Sequence, residues 1–186
     1  FLEHHPHALP AYQLLCEIYW DEEDFDRVDA LLASLSEELV ESVAAVLLKG
    51  ETLMRAGRHA DARNFFRQFL KGYDWNDTVA RELAKAHEAL NESAEARAIY
   101  REIIGRCDSC RARIDPAIKH RYAELCFADG LYTTEILEMY LALAREIPEN
   151  AAGYFDRISR IYAAQGNPTE AERFHSFARR AAAERD

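Results

Sequence analysis

A recurring pair of helical patterns, closed each time by a turn residue, constrains this chain more than any other feature. The turn residues are Glu23, Gly57, Asn91, Gly130 and Gly166, at successive intervals of 34, 34, 39 and 36 residues. A fixed period of roughly 20 to 50 residues is typical of a repeat architecture, in which a unit buries its apolar face only against its neighbours. The chain is therefore expected to be an array of helix pairs rather than a single globule.

The residues around each turn follow a small–large pattern. When the turn residue is numbered 15 in its unit, position 11 holds Tyr19, Leu53, His87, Cys126 and Tyr162; position 20 holds Val28, Ala62, Ala96, Glu135 and Ala171; and position 24 holds Leu32, Phe66, Tyr100, Met139 and His175. One added residue in the fourth unit moves Ile136, Tyr140 and Pro148 into positions 20, 24 and 32. Small residues at positions 8 and 20 would let paired helices approach closely, and large ones would fill the space to the next pair.

This period and this pattern resemble the tetratricopeptide repeat family over nearly the whole chain. The match is degenerate, since no unit has Trp at position 4, and Gly50 and Pro148 are the only family-type residues at positions 8 and 32. The resemblance implies an all-α fold, an α-solenoid in which antiparallel helix pairs form a right-handed superhelix. The predicted units are 9–40, 41–75, 76–110, 115–149 and 150–186. Residues 1–8 fit the end of a preceding repeat, so a fragment of a longer protein is expected.

Composition narrows the class of partner. The chain is 49% hydrophobic and 30% charged, which is ordinary for a folded soluble domain, and its net charge of −10 disfavours a general nucleic-acid binder. No apolar run approaches the length that spans a bilayer, so no membrane contact is expected from this segment. We expect a bacterial protein, cytoplasmic by default, or periplasmic or membrane-tethered if a signal or anchor precedes the segment.

No catalytic motif stands out. The sequence lacks a Ser-His-Asp order, a phosphate-binding loop, a dinucleotide fingerprint and a His-Glu-x-x-His run, so we predict a protein that is not an enzyme and needs no cofactor.

The cysteines leave an alternative open. Cys107 and Cys110 lie in a stretch that accounts for most of the five residues by which the 39-residue interval exceeds the 34-residue period, and His120 and Cys126 follow. These four residues could form a tetrahedral zinc site, or Cys107 and Cys110 could form a disulfide bond. The interpretation we favour is simpler: Cys126 is at a packing position, and the other two are loop residues. The histidines at packing positions, His87 and His175, are expected to be partly buried.

The family resemblance also implies a binding surface. In that family, positions 2, 5, 9 and 12 of the first helices point into a concave groove. The equivalent residues here are Gln13, Glu17, Trp20, Leu47, Glu51, Met54, Thr78, Arg81, Lys85, Glu88, His120, Glu124, Phe127, Asp156, Arg160 and Ala163. Trp20, Met54 and Phe127 would be apolar anchors, although Trp20 and Phe127 could equally pack against neighbouring helices.

The function predicted from the sequence is a non-catalytic scaffold that binds a peptide or a partner protein in the groove. Some family members hold chaperone carboxyl termini with Lys and Asn at the positions of Gln13 and Glu17, so that class of partner is disfavoured here. The alternatives are a metal- or redox-responsive regulator that uses Cys107 and Cys110, and an interaction domain of a larger bacterial assembly factor. The oligomeric state is open, because an uncapped array end can stack on another copy.

Overall fold

The computed structural model describes residues 8–110 and 113–183, and their secondary structure is helical, which confirms the all-α prediction. Helices are α1 (Leu9–Asp21), α2 (Phe25–Ala33), α3 (Glu37–Val40), α4 (Val43–Arg55), α5 (His59–Gly72), α6 (Asp77–Ala89), α7 (Ser93–Cys110), α8 (Pro116–Ala128), α9 (Thr134–Glu146), α10 (Ala151–Ala164) and α11 (Pro168–Ala183). A 3₁₀ turn, Pro148–Asn150, precedes α10. The expectation of a preceding repeat falls mostly on residues 1–7, outside the described part.

The chain groups into two compact units, residues 1–99 and 100–186. In the first unit, α4 packs against α1, α2, α5 and α6. In the second, α8 packs against α9, α9 against α10, and α10 against α11. Successive helices in each unit therefore pair as neighbours, as the repeat pattern predicts.

All five predicted turn residues have the same backbone conformation. Glu23, Gly57, Asn91, Gly130 and Gly166 have φ between 55° and 75°, the left-handed region. In each case the next residue donates its backbone N–H to the carbonyl of position 11, at 2.8 or 2.9 Å. This bond closes the preceding helix and satisfies a carbonyl that the helix leaves without a partner. The repeat period is therefore the spacing between successive copies of one specific turn conformation.

The small–large pattern accounts for helix packing within a unit. Gly50 of α4 lies so close to Phe66 of α5 that a Cβ on the glycine would be 1.9 Å from the Phe66 Cζ. Phe66 and Ala62 are buried in one cluster with Leu53, Val79 and other apolar side chains. The absence of a side chain at position 8 is therefore what allows the phenyl ring to lie between the two helices.

The later units differ from the simple register in ways that the structure explains. Ile136 and Tyr140 are buried whereas Glu135 is exposed, so the shifted register describes the fourth unit. The shift arises because α9 begins only at Thr134, four residues after Gly130. The prediction for His175 was wrong: it is exposed, and Phe174 fills the interior by stacking on Tyr162 at 5.6 Å between ring centroids.

Two segments were not predicted correctly from local signals. A short helix, Glu37–Val40, precedes α4 and was not predicted from the sequence. Helix α7 continues to Cys110, so Cys107 and the backbone of Cys110 belong to a helix rather than to a loop. Neither Gly nor Pro interrupts residues 106–110, and the helix simply extends through them.

Candidate functional site

The first unit has a concavity of about 470 Å³ between α4 and α6. Side chains at helical i, i+4 and i+3 spacing on the two neighbouring helices form its walls, because such residues share one face of a helix. The lining residues are Leu47, Glu51, Met54, Arg55, Thr78, Arg81, Glu82 and Lys85. Six of them are residues that the family resemblance assigns to the groove; Arg55 and Glu82 were missed because they stand one position outside the family pattern.

The charges in this concavity are paired but not balanced. Glu51 pairs with Arg55 at 2.9 Å, and Glu82 pairs with Lys85 at 2.9 Å and with Arg81 at 3.4 Å. The residues that line the concavity therefore include three cations and two carboxylates, in a chain of net charge −10. The Glu51–Arg55 pair is exposed on both sides, and such a pair contributes little to stability, roughly 0–1 kcal/mol, so a partner can exchange it at low cost.

Trp20, predicted as a possible surface anchor, is buried with 7% of its surface exposed. Its Nε1 donates to the hydroxyl of Thr52 at 3.2 Å, and the guanidinium of Arg55 lies 4.5 Å from its ring centroid. The indole fills space between α1 and α4, and its polar N–H finds a buried acceptor, as buried Trp usually does. The packing alternative is therefore the one observed, while Gln13 and Glu17 are exposed on α1.

Phe127 in the second unit has the same relation to arginine. It is 8% exposed, and the guanidinium carbons of Arg157 and Arg160 lie 4.7 and 5.0 Å from its ring centroid. The ring is thus a support for two cations and not an exposed anchor, since the negative face of an aromatic ring attracts a guanidinium.

Glu124, another predicted groove residue, is bound within the protein. It accepts hydrogen bonds from Arg157 Nε and Nη2 at 3.3 and 3.2 Å and from the Tyr140 hydroxyl at 3.0 Å. The hydrogen bond with Glu124 raises the pKa of Arg157, and burial, followed by the Glu124 charge, raises the pKa of Tyr140. A carboxylate held by three donors has little capacity left for a partner.

The remaining predicted groove residues vary in exposure. Arg160 and Lys85 are exposed, whereas Glu88, Met54 and His120 are half-buried. The His120 ring lies edge-on to Tyr154 at 5.6 Å between centroids.

The cysteine hypotheses fall partly outside the described residues, because the side chain of Cys110 is not among them. Cys126 is buried at 2% exposure and Cys107 is half-buried. Within the described part of the chain, no group of three or more His, Cys, Asp or Glu side chains has the arrangement of a metal site. The burial of Cys126 agrees with its repeat position, where a packing residue is expected.

The sequence of the chain is similar to one known protein family. The tetratricopeptide repeat family profile matches residues 53–106, which include α5, α6 and most of α7. No curated protein matches the chain in sequence.

Solved structures with the same fold include YrrB, described as a TPR protein with an unusual peptide-binding site (16% identity, TM-score 0.70, 96% of this chain and 88% of that one). MamA has 16% identity and a TM-score of 0.71, with 91% and 95% of the two chains covered. BtubC (BKLC) from P. vanneervenii has 18% identity and a TM-score of 0.72, with 98% and 84% covered. These likenesses establish the fold.

Among residues 8–110 and 113–183, no helix combines the length and the apolar character needed to cross a bilayer. Residues 53–106 match the tetratricopeptide repeat family profile, and the described part of the chain has the same fold as solved tetratricopeptide repeat proteins.

Proposed function

We propose that this protein is a non-catalytic scaffold that holds a peptide or helical segment of a partner protein in the concavity between α4 and α6. The fold is in general one that supports protein–protein interaction, and its family is generally non-catalytic. The concavity itself is the observation that carries the proposal: it has an apolar floor, from Leu47 and Met54, beside paired charges. Apolar contact supplies binding energy, and a polar rim supplies orientation.

The paired charges fit this role because they are available for exchange. The Lys85 side chain is 49% exposed, and those of Glu51 and Arg55 are similarly exposed. A partner that offers a carboxylate near Arg81 and Lys85 would gain from the local cationic excess, and Met54 adapts its shape to varied apolar side chains. One of the solved relatives, YrrB, is described as having a peptide-binding site, which is consistent with the same use of this fold.

The test is capture of partners from an extract of the source cells by the immobilised protein, quantified by mass spectrometry. The Arg81→Glu/Lys85→Glu variant is expected to lower capture by about tenfold or more, since it replaces two cations of the concavity with anions. The matched control is Lys49→Glu/Lys71→Glu, which makes the same change in net charge with two exposed lysines of α4 and α5, neither of which lines this concavity.

Both variants must keep the helical circular dichroism of the wild type. If the two variants capture the same proteins equally well, the concavity is not the binding surface and the proposal is wrong.

A further inference from the structure

The first unit has another hollow, of about 450 Å³, on a different face of α4 from the concavity described above. Ala45, Lys49 and Leu53 line it from α4, and their spacing of four residues places them on one face of that helix. Four other residues of α4 line the concavity between α4 and α6. Residues of α2, α3 and α5 complete the lining of this second space, which we call the α2–α5 hollow. It is a separate site, formed within residues 29–65.

The lining of the α2–α5 hollow is mostly apolar. Its large apolar side chains are Leu32, Leu35, Val40, Leu53 and Phe65. Leu32 and Leu53 are buried, whereas Val40 keeps 50% of its surface exposed. The volume lies in the range of small-molecule sites, roughly 300–1,000 Å³, and such sites are lined by apolar side chains with a few polar groups. A protein interface usually takes roughly 20–30 residues from each side, whereas ten residues line this hollow.

Three charged side chains line the α2–α5 hollow, and they differ in how they are paired. Arg58 pairs with Asp29 at 3.8 Å and with Asp61, which lies outside the hollow, at 2.9 Å. Lys49 is exposed, and its Nζ lies 5.2 Å from the centroid of the Phe65 ring. Among the described side chains, no carboxylate lies within ion-pair distance of Lys49. The charge that remains for a ligand is therefore one ammonium group beside an apolar surface.

We propose that the α2–α5 hollow binds a small molecule that has an apolar chain and one carboxylate, of which a medium-chain fatty acid is the simplest example. The chain would cover the exposed part of Val40 and the leucine side chains beside it, because burial of apolar surface is the main source of affinity in such a site. The carboxylate would accept charge-assisted hydrogen bonds from Lys49 Nζ, which the face of the Phe65 ring attracts. Asp29 does not oppose a carboxylate strongly, since Arg58 balances its charge. This inference is independent of the proposed function, because it concerns another surface and another class of ligand.

The experiment is isothermal titration calorimetry of the purified protein with decanoate, decanol and decyltrimethylammonium. The three probes share a ten-carbon chain and differ in the charge of the head group. The wild type is expected to bind decanoate about three- to tenfold more tightly than either of the other two, as one charge-assisted hydrogen-bonded pair predicts. The Lys49→Gln variant should lose this preference and keep its affinity for decanol. The matched control is Lys71→Gln, which removes an exposed lysine of α5 that does not line the hollow and should keep the preference.

A second pair of variants tests the apolar part of the site. Ala33 is exposed and lines the hollow, so Ala33→Phe should fill part of it and lower the affinity for decanoate and decanol alike, by about fivefold or more. Ala30 is exposed on the same helix and does not line the hollow, so Ala30→Phe should leave both affinities unchanged. Because both alanines are exposed, both variants are expected to keep the helical circular dichroism of the wild type.

Several results would overturn the inference. The absence of measurable decanoate binding, equal binding of decanoate and decanol, or equal effects of Lys49→Gln and Lys71→Gln would show that Lys49 selects no carboxylate. Tighter binding of decyltrimethylammonium would assign the recognition to Asp29. If the Lys49→Glu/Lys71→Glu variant fails to capture proteins that Arg81→Glu/Lys85→Glu retains, the occupant is a protein and not a small molecule. The calorimetric results do not bear on partner capture by the concavity between α4 and α6, so the two proposals can fail separately.

Discussion

Substitution of glycine by alanine should have opposite effects at two helical positions of this protein. At Gly50 the new Cβ would lie 1.9 Å from Phe66 Cζ and 2.2 Å from Cε1, far inside contact distance. At Gly105, within α7, nothing lies within 4 Å of the added Cβ. Both substitutions replace a poor helix former by alanine, so the difference between their effects on the free energy of unfolding should come from side-chain packing alone.

The magnitudes follow from two competing terms. Alanine in place of glycine inside a helix stabilises by about 0.8–1.0 kcal/mol. Overpacking in a buried site costs about 1–3 kcal/mol, and Phe66 cannot escape into solvent cheaply because it is 1% exposed and lies against Phe65. Gly50→Ala is therefore expected to lower the free energy of unfolding by up to about 2 kcal/mol, and Gly105→Ala to raise it by roughly 0.5–1 kcal/mol.

The assay is urea denaturation followed by circular dichroism, with tryptophan fluorescence as a second signal. Trp20 and Trp75 are the two tryptophans of the chain and both belong to the first unit, so fluorescence reports on the unit that contains Gly50. The double variant Gly50→Ala/Phe66→Leu should recover part of the loss, since a shorter side chain leaves space for the methyl group. A midpoint for Gly50→Ala that rises as far as that of Gly105→Ala would refute the close approach of α4 and α5.

Three further predictions concern the turns, a buried thiol and a buried polar network. Glu23→Gly should raise the free energy of unfolding by about 1 kcal/mol, because Glu23 has a φ of 55°, in the left-handed region that glycine adopts without strain. Asn91→Gly should raise it by less, since Asn tolerates the left-handed region better than Glu does. Thermal melting of the two variants measures the difference. Burial raises the pKa of the Cys16 thiol from 9.0 to about 11, so between these two pH values the thiol ionises in the unfolded protein but stays protonated in the folded one. The free energy of unfolding should therefore be unaffected by this group below pH 9 and fall by up to about 2–3 kcal/mol as the pH rises to about 11. In urea titrations the Cys16→Ala variant should lack this loss. Glu92 joins the buried His87 to Arg63, at 2.6 Å on each side, so Glu92→Gln should cost about 1–2 kcal/mol in the same titration, whereas Glu102→Gln, in an exposed pair with Arg106, should cost under about 0.5 kcal/mol.

The network around His87 also shows where a departure from the repeat pattern has a structural reason. Position 11 holds apolar or aromatic residues in other units, and His87 occupies it at 3% exposure. Its Nδ1 faces Glu92, the residue after the turn, and its Nε2 lies 3.4 Å from Arg67. A polar side chain is tolerated at this packing position because both ring nitrogens have neighbours with which to form hydrogen bonds.

Local sequence determined the turns and the helix pairs of this protein. Each turn is closed by hydrogen bonds that span at most six residues, so Gly57, Gly130 and Gly166 could be located without knowledge of the rest of the chain. The burial of Ala62 and Phe66 followed from the same period, because repeat position determines which face of a helix meets its partner.

Tertiary structure alone decided which of the predicted groove side chains are available to a partner. Trp20 and Phe127 have no local signal that distinguishes a surface anchor from a buried support; the arginines that stack on them come from other helices, 33 to 35 residues away for Arg55 and Arg160. The commitment of Glu124 to Arg157 is likewise a contact between separate helices. The exposure and the ion pairs of these side chains depend on which residues meet across helices. The repeat period predicts which positions meet, but it does not predict which hydrogen bonds or ion pairs the residues at those positions form.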